Sequence, residues 1–163
     1  MGRLDDENNM DGVDRRILKA LQEDASGSVA EIAERAGVSQ TPCWRRIKRL
    51  EQTGHIQRRV ALLDKDQLNL GLTAFVQIRL ASHEGKWMEA FAAGVRKIPE
   101  IVELHHMTGD ADFMLKIVTS DMVAYREIYK KLMKLADLSA VSANFSMSCL
   151  KETTQLPLTY ISD

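Results

Sequence analysis

Ser39-Gln40-Thr41-Pro42-Cys43-Trp44-Arg45-Arg46-Ile47-Lys48-Arg49-Leu50, running on through Gly54 to Arg58-Arg59, is the stretch that decides how this chain folds. Residues 39–59 hold six of the 22 Lys and Arg against a single acid, Glu51, in a chain whose formal net charge is −1. On a helix turning by about 100° per residue, Cys43, Ile47 and Leu50 fall within about 60° of one another and form a buried seam. Thr41, Trp44, Arg45 and Lys48 come out on the opposite side, with Gln40, Arg46 and Arg49 on the flanks. A merely solvated face usually mixes signs. This one does not, and it has the character of an electrostatic footprint for nucleic acid.

Upstream lies the scaffold such a helix needs. A first helix is expected from Asp11 or Gly12 to about Asp24, with Val13, Ile17 and Leu21 in one apolar stripe and Leu18 beside it. Gly27 breaks the chain, and Ser28-Val29-Ala30-Glu31 has the form of a capping box opening a short second helix. Ile32, Ala33 and Ala36 point inward there, and Gly37 ends it. Ser39 is expected to cap the third helix, with Pro42 in its first turn, where a missing N–H costs little. Helix, glycine turn, helix is the helix-turn-helix pattern. Reading helices touch base edges with their N-terminal residues, so Gln40, Thr41, Trp44 and Arg45 are the base-reading candidates, with Lys48 and Arg49 the backbone anchors. Trp44 has an alternative, packing on a neighbouring helix. Residues 55–63 alternate Ile56, Val60 and Leu62 around Arg58-Arg59, which predicts a short β wing whose arginines face phosphate. Cys43 is either a redox switch or, from its place on the seam, a small buried hydrophobe.

Residues 64–70 form a polar linker leading to Gly71, after which the apolar period changes to two. Leu72, Ala74, Val76, Ile78 and Leu80 alternate with Thr73, Phe75, Gln77 and Arg79 as a strand. Trp87, Phe91, Val95 and Ile98 have helical spacing, stopped by Pro99. Residues 101–107 and 113–118 give two more strands. Met122, Tyr125, Ile128 or Tyr129, Leu132 and Leu135 give a second helix. Val141, Ala143, Phe145, Met147 and Cys149 give a last strand, with Cys149 on its apolar face. The order βαββαβ is the split, ferredoxin-like arrangement, so the fold class is α+β. Domain limits follow: a tail over 1–10, a winged helix-turn-helix over 11–63, the linker over 64–70, and a sheet domain over 71–163. Both helices cover one face of the sheet. Phe75 and Val102 leave apolar groups on the other, which predicts pairing with a second copy.

Bulk composition narrows the class. Apolar content of 45% and charged content of 28% are those of an ordinary globular chain, and no apolar run approaches the ~18 residues of a membrane span. The acidic start is unlike a secretory signal, and two cysteines are too few for a disulfide framework, so a cytoplasmic protein is expected. The loop Thr108-Gly109-Asp110-Ala111-Asp112 concentrates small and acidic residues. Its carboxylates suit an ammonium group and its amides a carboxylate, as in an amino acid; a plain acidic hairpin turn is the other reading. His105 and His106 invite a metal, but neighbours on a strand face opposite ways, so no metal is assigned. No phosphate loop, nucleophile elbow or paired carboxylate with a base appears, so no catalytic residue and no cofactor are expected.

Asp14-Arg15-Arg16-Ile17-Leu18, Ser39 through Cys43, Arg49-Leu50-Glu51-Gln52-Thr53-Gly54-His55-Ile56 and Gly109-Asp110-Ala111-Asp112 together resemble the Lrp/AsnC family of transcriptional regulators, over about Gly12 to Pro157. Thr41-Pro42-Cys43-Trp44, residues 60–64, residues 70–76 and Thr153-Thr154-Gln155-Leu156-Pro157 are similar to a branch of cysteine-responsive activators of cysteine breakdown. The resemblance implies a regulator of double-stranded DNA, a homodimer that assembles further, for instance to an octamer, and a small amino-acid effector, cysteine first. By position it carries the effector pocket onto His106, Thr108, Gly109, Asp110, Asp112 and Met122. Ala111 and Phe113 stand where many relatives carry a bulky residue and a tyrosine. An architectural DNA-wrapping protein with no effector shares the same front half and is the rival expectation.

Overall fold

A computed structural model describes residues 10–81 and 85–160. The chain divides into two compact units, one through Ala61 joined by the chain from Lys151 onward, the other Leu62–Leu150. Most of the tail expected over 1–10 lies outside the described residues; Met10 itself is buried in the first core.

The first unit is built on three helices: α1 (Gly12–Glu23), α2 (Val29–Ala36) and α3 (Gln40–Gln52). Asp11 caps α1 by accepting the amides of Val13 and Asp14, both at 2.9 Å, and the Asp14 carboxylate reaches back to the Asp11 amide at 3.1 Å. Ser28 and Glu31 make the same reciprocal box on α2. Gly37, at φ +65°, ends α2 in the left-handed region that glycine enters without penalty. Ser39 holds the cap position of α3, yet its hydroxyl makes no capping bond, contrary to expectation. Ile17, Ile32, Ala33, Ala36, Cys43, Ile47 and Leu50 fill the core, so the seam of α3 is the one its spacing predicts. On α1 the buried set is wider than a single stripe. Val13 and Leu21 are half-buried, while Asp14, Ile17, Leu18 and Ala20 are enclosed, because α1 packs on α2 and α3 together.

No wing forms among the described residues. After Gly54 (φ +79°) residues 57–64 hold no strand, and Val60, Leu62 and Leu63 stand exposed. An isolated strand cannot satisfy its own ladder, and the described residues of this unit offer it no neighbouring strand.

The second unit carries β1 (Leu72–Leu80), α4 (Gly85–Val95), β2 (Ile101–His106), β3 (Phe113–Thr119), α5 (Met122–Leu132) and β4 (Leu138–Phe145). Its sheet is antiparallel throughout in the order β2-β3-β1-β4, so each βαβ crossover leaves a gap that a strand of the other fills. Val76 at the centre of β1 faces Leu115 on one side and Ala143 on the other. Ala74, Val76, Ile78, Leu115 and Ile117 are fully enclosed beneath Phe91 and Val95 of α4 and Ile128 and Leu132 of α5. The opposite face keeps Phe75 exposed, and Val102, at the irregularity between Ile101 and Glu103, is exposed as well. The polar stretch before β1 is folded as a turn, Lys65 accepting the Leu70 amide at 2.8 Å and Asn69 taking φ 57°.

Two expectations fail at the end of this unit. β4 stops at Phe145, so Met147 is fully exposed and Cys149 is exposed rather than on an inward face. Residues beyond Leu150 belong with the helices, not with the sheet. Gln22 on α1 grips the Leu156 backbone with both ends of its amide, accepting from the nitrogen at 2.7 Å and donating to the oxygen at 3.2 Å. Leu158 packs against the helical core. Leu158 is only partly buried, so it contributes a fraction of the roughly 1.5–3 kcal/mol that full burial of such a side chain gives.

Candidate nucleic-acid interface and effector loop

Helix α3 presents Gln40, Thr41, Trp44, Arg45 and Lys48 outward. Trp44 is 52% exposed, so about half of its surface faces solvent on this side of α3. The first turn of α3 contains no acid, and with Ser39 not capping, the positive end of the helix dipole is open to an anion.

The cations differ in how free they are. Arg45 and Arg58 make no ion pair or hydrogen bond among the described residues. Lys48 Nζ lies 2.8 Å from Glu51 Oε2, and Arg59 Nη2 lies 3.1 Å from Glu51 Oε1. The hydrogen bond from Lys48, reinforced by both positive charges, holds the Glu51 carboxyl below its ordinary range. Arg49, expected as a backbone anchor, is engaged within its own unit: its Nη2 donates to Asp14 Oδ2, and its side chain is 34% exposed. Arg46 Nη1 contacts Asp14 Oδ1 at 2.9 Å and Asp11 Oδ2 at 2.7 Å. Reading by residue type missed Asp14. The signal was there: one acid within the inward arc of α1, and two arginines flanking the seam of α3. Cys43 is fully buried, and burial pushes its thiol up, which suits the small hydrophobe rather than the redox switch.

In the second unit the loop 108–112 is held by its own acids. Asp112 donates its amide to the Ile78 oxygen at 2.8 Å, and its Oδ2 accepts the Leu80 amide at 2.7 Å. Since β3 begins opposite Ile78, Leu80 runs past that ladder, and the carboxylate stands in for the missing strand oxygen. Asp110 is fixed from Arg79, whose Nε donates to its backbone oxygen at 2.5 Å and Nη2 to its Oδ1 at 3.3 Å. Gly109 takes φ +105°, and Thr108, Gly109 and Asp110 remain exposed. His106 flanks the loop on the helix-covered face, its ring 5.7 Å from Phe113, while His105 turns to the other face and meets Glu103 at 3.0 Å. Met122 is not with them. It begins α5 beyond the far end of β3, and seven strand residues at about 3.3 Å each separate it from the loop by roughly 20 Å. At the end of β1, Leu80, Ala81, Trp87, Ala136 and Asp137 line an open cavity of about 290 Å³, which sequence spacing gave no means of finding.

A three-helix reader with a one-signed outward face, joined to a βαββαβ sheet carrying a structured loop, defines a DNA-binding transcriptional regulator with a separate sensing unit. Residues 10–51 match the AsnC-type helix-turn-helix domain and residues 73–156 the Lrp/AsnC ligand binding domain. The chain is 44% identical over 154 residues to the glutamate uptake regulatory protein of Zymomonas mobilis, covering 94% of each. It is 39% identical over 150 residues to the DNA-binding transcriptional activator DecR of Escherichia coli K12, covering 91% of this chain and 99% of that one. Among solved structures, an AsnC family transcriptional regulator from Agrobacterium tumefaciens superposes with a TM-score of 0.91 at 46% identity, covering 94% of this chain and all of the other. A transcriptional regulator from Neisseria meningitidis in complex with L-Met gives 0.89 at 34%, with the same coverage. This chain belongs to the Lrp/AsnC family of transcriptional regulators.

Proposed function

We propose that this protein reads specific DNA sequences through α3 and that a small amino acid alters its assembly or the geometry of the DNA it holds. The observation that carries the reading is the outward face of α3, where Gln40, Thr41, Trp44 and Arg45 stand together in solvent, Arg45 unpaired among the described residues. Those four approach base edges; Lys48, Arg58 and Arg59 approach phosphate, Lys48 and Arg59 exchanging Glu51 for it, with Arg49 a lesser contributor because Asp14 holds it. Among the described residues no helix is long and apolar enough to cross a membrane, and the work proposed is that of a cytoplasmic DNA-binding protein.

The effector reading rests on His106, Thr108, Gly109, Asp110 and Asp112, with the exposed loop amides for a carboxylate and the acids for an ammonium group. Since Met122 lies at the other end of the sheet, it joins such a pocket only from a second copy. Two exposed apolar surfaces support that copy: Phe75 on the open sheet face with Val102 exposed on the edge strand, and Val60, Leu62 and Leu63 in a segment with no ladder partner among the described residues. A homodimer, and from it an octamer, buries both. Cysteine is the first effector to test, from the likeness of residues 41–44, 60–64, 70–76 and 153–157 to the cysteine-responsive branch. Glutamate and methionine are the comparators that the relatives supply.

A thermal-shift panel of the twenty amino acids, run with and without a duplex selected from a random pool, tests both halves. Duplex selection with one amino acid shifting the transition, and shifting it differently when DNA is present, is the expected outcome. Selection with no amino acid active leaves the architectural rival standing. Failure to enrich any sequence removes the base-reading role.

A further inference from the structure

The carboxylate of Asp14 is fully buried, yet every donor around it comes from a group the DNA-facing helix or its neighbour supplies. Arg46 Nη1 donates to Oδ1 at 2.9 Å; Arg49 Nη2 and, at 3.1 Å, the Asp11 amide donate to Oδ2. Arg46 also touches Asp11 at 2.7 Å. Arg46 and Arg49 stand three apart on one flank of α3, beside the outward face that carries Arg45 and Lys48. Each keeps about a third of its side chain in solvent, 28% and 34%. They are therefore near enough to water, and to a phosphate lying along the flank, to respond if released.

We infer that Asp14 is a positioning and specificity residue for DNA recognition: it fixes the rotation of α3 on α1 and, by neutralising Arg46 and Arg49, keeps two cations from adding sequence-blind attraction to phosphate. Phosphate contacts raise affinity for any duplex alike, whereas base contacts discriminate. Six cations on residues 39–59 would favour random DNA. With two held by one buried anion, and Asp11 sharing Arg46, the balance moves toward Arg45 and its neighbours. The inference rests on α3 being the DNA-reading helix.

Asp14→Asn in the full chain is the test, since it keeps the shape and an acceptor while removing the charge, and the released arginines remain solvated. Binding is measured by fluorescence anisotropy on the selected duplex and on a scrambled one across a salt series. The salt slope on scrambled DNA is expected to steepen by about one to two, at ~0.9 for each further phosphate neutralised, with affinity near 0.1 M salt rising roughly tenfold or more and the ratio of selected to scrambled falling. Adding Arg49→Gln to Asp14→Asn should return part of the slope, whereas Arg49→Gln alone changes it little. A role confined to stability would lower binding to both duplexes with no steeper slope, and that result overturns the inference. If Asp14→Asn does not fold, Asp11→Asn serves, because Asn caps a helix as well as Asp and the change frees Arg46 from one of its two anions. An unaltered slope there overturns it equally. Should wild-type protein select no duplex, or Arg45→Ala leave discrimination intact, the reading of α3 fails instead, which separates the two.

Discussion

Arg45 and Lys48 lie on the same exposed face three residues apart, but they meet DNA from different starting points. Arg45 has no partner among the described residues to give up, and its planar fork matches a guanine edge. Arg45→Ala should therefore weaken the selected duplex by about 1–3 kcal/mol, leave scrambled DNA less affected and relax preference at one base position, as competition binding will register. Lys48 must first leave Glu51. Lys48→Ala should weaken all duplexes alike and flatten the salt slope by about one. Equal losses for both variants on every sequence would remove the base-reading assignment. The two thiols separate as clearly. Cys43 is enclosed and its thiol pushed up, whereas Cys149 is exposed, so a thiol reagent should titrate one cysteine in native protein and both in denaturant.

At the scale of elements, the loop between β2 and β3 combines two tasks, because Asp112 is both a candidate ligand group and the acceptor for the Leu80 amide. Asp112→Ala should abolish the ligand-induced thermal shift, leave selected-duplex binding intact and lower stability by about 1–3 kcal/mol, the cost of stranding a partly buried amide. Asp112→Asn should restore most of the stability without the response, which denaturant titration beside the ligand panel will show. Legibility in the sequence divides along similar lines. β1 was readable because Ala74, Val76, Ile78 and Leu80 alternate over a fully covered face, and α3 because Cys43, Ile47 and Leu50 leave one solution for its rotation. Periodicity misled where alternation continued past the pairing: Met147 and Cys149 keep the rhythm of β4 but have no neighbour strand among the described residues, and the same holds for Val60 and Leu62 after α3. Asp14 and Met122 differ: Asp14 could be placed on the inward arc of α1 but not paired with its arginines, and Met122 could be placed on its helix but not relative to the loop. Residue type and local spacing carry no information about which distant side chain arrives opposite, nor about which end of a strand a loop occupies.

For the whole molecule, the open face of the sheet sets a prediction about assembly. Phe75 stands on that face opposite Lys116 and Asn144, with Val102 exposed on the edge strand β2. Phe75→Asp should move the mass measured by light scattering toward the monomer and weaken DNA binding steeply, since two linked half-site contacts become one. An unchanged mass would direct the search for the interface to Val60, Leu62 and Leu63. The clasp of Gln22 on Leu156, with Leu158 in the helical core, has a separate consequence. In genetic terms the sensor is an insertion within the reader, bounded by junctions at 61/62 and 150/151. Swapping sensors between such proteins by a single crossover would strand the closing strap of one parent on the helices of the other. A chimera that works must exchange the insert at both seams, or carry Gln22 and its matching strap along together.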